Sequence, residues 1–482
     1  MIKYIFSAAI LIAGILVFNG CEDPEDAFNP QNPDLAIDGV VGTDNSTLSI
    51  LVGCNRQLSL AMDELVVISE IASDNYTNTQ TFFNQFLDNL NIDPTDDDID
   101  DTQFDIHRLR ELAVTGRDVI APSDESSTDD QVAELNFYIG FSHLLFGENF
   151  TSAPATPGGA LMSGADHLNA AISSFQTGIS GTSDVAITTA CQLGIARAHY
   201  KLGNRADAVS ASNAAIASDP AFVRFAEYDA VNLPDNAMQD ALFDRGTFDD
   251  LQPLPRLDFL DPKYNGSNPT EDVNLPILKI EDAHLILCEA AIAEGDLAGA
   301  QQIMRDIVGL VATRPMATFS DLVENRTQDF PGSRPDTTSV TVAASASDMM
   351  RPGLVLDRNN GEDVTVPTVS GTSVTDAMID AIGDGDRALE ILYLMRQEIY
   401  IAEGRRMSDL GIRFVTSDVE FRINENVSES DITPIIPGFI SSIATELDAF
   451  TYDAAAGTAT CMHNLNAIIV ANKTSDFVAP FE

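Results

Sequence analysis

The sequence predicts a mainly α fold in which helical hairpins of tetratricopeptide type are dispersed among long, loop-rich insertions. Two hairpins can be laid over one another at a spacing of 92 residues. Apolar residues recur at helical intervals in two long segments outside them, and this periodicity disappears between Arg314 and Thr375. The chain has 482 residues and is 44% hydrophobic, which is enough to bury a sizeable core. With 26 basic against 74 acidic side chains, the formal net charge of -48 repels polyanions and argues against nucleic-acid binding.

The chain opens with a single charge, Lys3, and an apolar stretch from Tyr4 to Phe18, the proportions of a secretory signal rather than a spanning helix. It closes on Phe18-Asn19-Gly20-Cys21, which resembles a lipobox: residues 1–20 would be removed and Cys21 would carry the lipid. Acyl chains supply about 0.8 kcal/mol per buried methylene. Residues 21–47 then read as an acidic, proline-rich tether, beginning Glu22-Asp23-Pro24-Glu25-Asp26 and continuing through Asn29-Pro30-Gln31-Asn32-Pro33. Residues 48–482 are expected to form the helical domain.

Within it, Leu51, Leu58, Met62, Leu65 and Ile68 mark one face of a helix over Leu48–Ser69 that runs into the polar loop Ser73-Asp74-Asn75-Tyr76. The aspartate-rich stretch from Asn89 to Asp101 lacks the glycine of an EF-hand loop, so calcium is not indicated. A second helix is predicted from Asp130 to Phe146, with Gly147 as its stop. The first hairpin covers 186–218, with small residues Ala196, Gly203, Ala208 and Ala215 where two antiparallel helices touch. In the second, over 278–310, Cys288, Gly295, Ala300 and Ile307 occupy the same offsets. A further helical pattern spans Arg387 to Asp409, and the tail from Ala454 onward reads as weakly ordered. Cys54, Cys191, Cys288 and Cys461 are far apart and are expected to be core thiols.

The order of these segments resembles the SusD/RagB family, surface lipoproteins of Bacteroidetes-type bacteria. Pro276 to Ala290 is similar to the family's most recognisable hairpin, with Lys279 in place of the usual arginine. The most specific match is Arg396 to Leu410, where Glu403, Gly404, Arg406, Asp409 and Leu410 fall on the family's Glu-Gly-x-Arg and Asp-Leu positions. Arg396, Glu403 and Arg406 are expected to share one helix face and to form a buried ion-pair network of structural character. Gly411 to Phe414 departs from the family pattern and marks a divergent member.

No G-x-S-x-G, H-E-x-x-H, G-x-G-x-x-G or P-loop occurs, and the six histidines are scattered over helical patterns, so neither an enzyme nor a cofactor or metal site is predicted. The resemblance implies a lipoprotein anchored in the outer membrane, facing the cell exterior, that binds a nutrient oligomer and delivers it to a SusC-like TonB-dependent β-barrel transporter. The ligand is an oligosaccharide or a peptide. The absence of Trp weakens the glycan reading, and the net charge disfavours anionic glycans. By resemblance, Asp74, Asn75 and Tyr76 sit where family members touch ligand, and Tyr264 and Asn265 are further candidates. A helical-repeat lipoprotein serving only as an assembly scaffold is the alternative, and a secreted glycoside hydrolase is a third.

Overall fold

The structure, a computed structural model, describes residues 41–79, 85–229, 231–244, 250–265, 272–320, 332–358 and 363–481. The signal, most of the tether and Cys21 lie outside the described residues.

Helix α1 (Ser46–Ile71) is followed by α2 (Asp97–Thr115), α3 (Asp129–Asn149) and α4 (Gly164–Ser180). The ends of these helices are written in the sequence. Asp96 accepts from Asp98 N at the start of α2, and three further aspartates occupy its first turn, where carboxylates favour the positive end of the helix dipole. The aspartate-rich stretch is thus largely a helix start. Capping boxes open α3 (Thr128 with Gln131) and α4 (Ser163 with Asp166).

The first hairpin consists of α5 (Val185–Lys201) and α6 (Arg205–Ser218), and the second of α7 (Glu281–Ala293) and α8 (Leu297–Val311). Both turn through a glycine at positive φ, Gly203 at 71° and Gly295 at 76°, a conformation that side chains with a Cβ disfavour. Ala196 and Ala208 are fully buried against Ile286 of α7, so the two hairpins pack together. The Tyr200 hydroxyl donates to Glu289 at 2.7 Å across the same junction. One hydrophobic cluster runs from Cys54 of α1 to Ala479 near the end of the chain. All four described cysteines are buried free thiols within the fold.

Three expectations are corrected. The 314–375 region contains strands: Met316–Ser320 pairs antiparallel with Asp363–Pro367, and Thr341–Ala343 pairs parallel with Thr458–Cys461. The tail is ordered, with a hairpin of Phe450–Asp453 and Thr458–Cys461 followed by helix α10 (Leu465–Ala471), whose Leu465 and Ile469 are fully buried. Strands of three to five residues are too short for a period of two to stand out in a sequence. Finally, the helix expected over 387–409 ends early. Helix α9 spans Gly385–Ile399, and a separate turn of helix covers Arg406–Asp409. Between them Ala402 and Gly404 take positive φ. There the buried Glu70 carboxylate accepts from Glu403 N at 3.1 Å and Gly404 N at 2.8 Å, binding two donors that a continuous helix would use internally. A Cβ on Gly404 would sit 3.2 Å from the Val66 Cα, so α1 also approaches too closely for a larger residue.

No helix among the described residues is long and apolar enough to cross a membrane.

Candidate functional site

The loop after α1 is polar because it is wired into the interior. Asp74, Asn75 and Tyr76 are fully buried. Asp74 receives Arg406 through Nη2–Oδ2 at 3.0 Å, and Asn75 donates to Glu70 at 2.7 Å. Tyr76 pairs with Pro253 in a two-stranded sheet. Tyr264 is likewise fully buried and donates to Ala402 O at 2.9 Å, while the half-buried Asn265 donates to Pro262 O at 3.3 Å. The expectation that Asp74, Asn75, Tyr76 and Tyr264 meet ligand is therefore corrected: their side chains have no surface for a ligand to touch, and their polar groups join the chain's own segments.

The motif residues complete this interior network, although not from one helix face. Arg396 in α9 holds Asp409 through two hydrogen bonds, 3.1 and 2.8 Å, and Lys201 approaches the same carboxylate at 3.4 Å. Burial pushes the Asp409 carboxyl up, but the Arg396 and Lys201 charges outweigh it and hold the group well below the usual carboxylate range. Glu403 accepts from Lys263 and from Lys279, the latter at 2.5 Å. Lys279 also donates to Ile399 O at 2.7 Å. Burial lowers Lys263 to about 8 against the pull of Glu403, and burial raises Glu70 to about 7.

Three of the histidines, scattered in sequence, come together. His143 and His167 share a hydrogen bond between their Nδ1 atoms at 2.9 Å, and the His107 ring lies 4.5 Å from Phe146, which also packs against His167. Burial pushes His107 and His143 down to about 3 and His167 to about 4, so the cluster is neutral. Among the described residues, no group of three or more His, Cys, Asp or Glu is arranged to hold a metal.

The space that could receive a ligand lies beside this network. A cavity of about 510 Å³ opens between α9, the 342–354 segment, the Asp376–Asp380 helix and the start of α10, within the range of small-molecule sites, roughly 300–1,000 Å³. Met349, 86% exposed, stands at its edge. Arg387 and Glu390 of α9 form an ion pair at 2.7 Å on its wall. Glu398 accepts from Thr372 Oγ1 at 2.7 Å and Ser373 N at 2.8 Å, and burial raises its pKa. Deeper in, Arg256 and Asn466 both reach Gln397 Oε1, at 2.9 and 3.1 Å. Gln397 in turn donates to Asp74 at 2.9 Å and Asn75 at 3.1 Å, so the cavity is one side chain removed from the central ion network. A second cavity, about 270 Å³, lies between Tyr200–Gly203 and the 474–480 tail.

Sequence reasoning missed Arg256, Arg351, Arg387 and Asn466. A signal existed for Arg256, a lone cation in the mostly apolar run Leu251 to Leu260, but the remaining lining comes from segments that only the fold brings together.

No family model matches the chain, and no curated protein matches it in sequence. Solved structures do match in shape. A SusD superfamily protein from Bacteroides fragilis superposes with a TM-score of 0.56 at 14% identity, covering 81% of this chain and 100% of that one. One from Bacteroides thetaiotaomicron gives 0.52 at 13% identity, covering 80% and 98%. A SusD-like carbohydrate binding protein from Bacteroides vulgatus gives 0.51 at 11% identity, covering 77% and 83%. With its dispersed helical hairpins, this chain has the mainly helical fold of SusD superfamily proteins.

Proposed function

We propose that this protein is a divergent member of the SusD/RagB family: a non-enzymatic lipoprotein, anchored through Cys21 in the outer membrane and facing the cell exterior. It binds a nutrient oligosaccharide in the cavity beside α9 and passes it to a SusC-like TonB-dependent β-barrel. The observation that carries the reading is a cavity of ligand size, with unspent polar groups, on a SusD-like helical scaffold. Carbohydrate is favoured over peptide because a structure sharing the fold is described as a carbohydrate binding protein. No aromatic side chain is among the described residues lining the cavity, so recognition rests on its polar groups and on the apolar faces of Met349, Leu354 and Leu394. In transport the protein would act as a lid on the barrel, with the TonB system supplying the energy for uptake.

The test is recovery of the tagged lipoprotein from detergent-solubilised native outer membrane. A TonB-dependent barrel recovered in near-stoichiometric amount supports the delivery role. Its absence, from membranes that express it, favours the scaffold reading.

A further inference from the structure

Arg256 is 4% exposed and lines the cavity. Its Nη2 donates to Gln397 Oε1, its Nη1 has no hydrogen-bond partner, and no described carboxylate lies within 4.0 Å of its guanidinium. Asn466, 1% exposed, lines the same cavity, donates its Nδ2 to the same Gln397 oxygen and leaves its Oδ1 without a partner. The orientation of both amides follows from their neighbours. Gln397 must turn its nitrogen to the Asp74 carboxylate and its oxygen to the Arg256 cation, and Asn466 must then offer nitrogen to that oxygen. Two buried polar atoms, one cationic donor and one acceptor, are therefore left unspent. Burying such atoms without partners is costly, and a ligand that satisfies both removes the cost.

We infer that the cavity takes the uronic-acid unit of an acidic oligosaccharide, with the carboxylate on Arg256 Nη1 and a sugar hydroxyl donating to Asn466 Oδ1. The inference rests on the oligosaccharide-binding reading above. The overall charge argues against an anionic ligand, but the cavity lining is balanced. Arg256, Arg351 and Arg387 face Asp348, Glu390 and Glu398. Each carboxylate is already engaged: Glu390 by Arg387, Glu398 by Thr372 and Ser373, and Asp348 by Ser345 Oγ at 2.6 Å. Arg351 uses its Nη2 on Ser373 and faces the Glu398 carboxylate without a direct ion pair. Distant surface carboxylates are screened over roughly 8 Å at physiological ionic strength. The inner wall of the cavity thus holds a guanidinium without a direct ion pair.

The test is isothermal titration calorimetry of the full lipoprotein in detergent with trigalacturonate, trimannuronate, neutral galactotriose and triglutamate. At least one uronate trimer should bind about tenfold or more tightly than galactotriose, a difference of the size lost with one charge-assisted hydrogen bond. Asn466→Asp, nearly isosteric, places a carboxylate beside Arg256 and should weaken uronate binding by about tenfold or more. Arg256→Met should act in the same direction, and circular dichroism melting establishes that each variant is folded. Binding of galactotriose as tight as that of the uronates, or a folded Asn466→Asp variant that binds them unchanged, overturns the inference and leaves the oligosaccharide reading standing. Preference for triglutamate overturns both in favour of a peptide. Failure of both uronates to bind overturns the inference, and recovery of the barrel then decides the uptake reading separately.

Discussion

Arg406 and Asp74 lie 332 residues apart in sequence and form a two-point ion pair in the interior, with neither side chain exposed beyond 1%. The pair fastens the loop after α1 to the helical turn that follows α9. Gln397 then ties Asp74 to Arg256 at the cavity wall. Charge that would be solvated on an ordinary surface loop is here used to hold remote segments together.

Removing one partner of such a pair leaves an uncompensated buried charge, which costs about 3–5 kcal/mol. Asp74→Ala should destabilise the protein by about that amount in urea denaturation. A loss below about 1 kcal/mol would show that the pair does not clamp the fold.

The histidine cluster sets an acid limit. His107, His143 and His167 are neutral in the fold, with pKa values lowered to about 3, 3 and 4 from an ordinary value near 6.5. The unfolded chain therefore takes up protons that the native state refuses as pH falls below about 6.5. Stability is lost across the window from about 6.5 to 3, at roughly 2 kcal/mol per histidine by pH 5. Burial raises Glu70 and Glu289 to about 7, which acts in the opposite sense and adds stability as pH falls through 7 toward 4.5. His107→Phe isolates the first effect, because its Nε2 has no hydrogen-bond partner and its ring already packs on Phe146. Urea midpoints should show the variant gaining on wild type between pH 7 and pH 5. A constant difference over that range would contradict the assignment.

At Gly194 in α5, an added Cβ would fall 2.4 Å from the Phe175 ring, which is fully buried. Gly194→Ala should lower stability by about 1–3 kcal/mol through overpacking, read as a reduced melting temperature. Helix propensity alone predicts the opposite sign.

Cys21→Ala removes the proposed acylation site. The variant should leave the membrane fraction and lose its labelling by extracellular protease or antibody on whole cells. Retention on the membrane would require a different anchor.

What could be read in the sequence followed from locality. The hairpins were legible because small residues at the crossing and a glycine at the turn repeat at fixed offsets, and α3 because its apolar positions recur at helical spacing, although the helix runs through the expected stop at Gly147 to Asn149. The motif from Arg396 to Asp409 was legible as a buried ion network, but its geometry was not. The break after Tyr400 depends on Glu70, 333 residues away, taking the Glu403 amide. For the same reason Asp74 and Asn75 looked like exposed ligand contacts, since the partners that bury them are more than 300 residues distant. The cavity was illegible because its wall is assembled from α9, the 342–354 segment, Arg256 and the start of α10.

The most direct test of the central claim is to block the cavity without touching the network behind it. Ala381 is exposed and lines the cavity, so Ala381→Trp puts an indole into the space beside α9. The account predicts an unchanged melting temperature together with loss of binding for whichever oligosaccharide the wild-type lipoprotein takes in calorimetry. A folded Ala381→Trp variant that binds that oligosaccharide with wild-type affinity would contradict it.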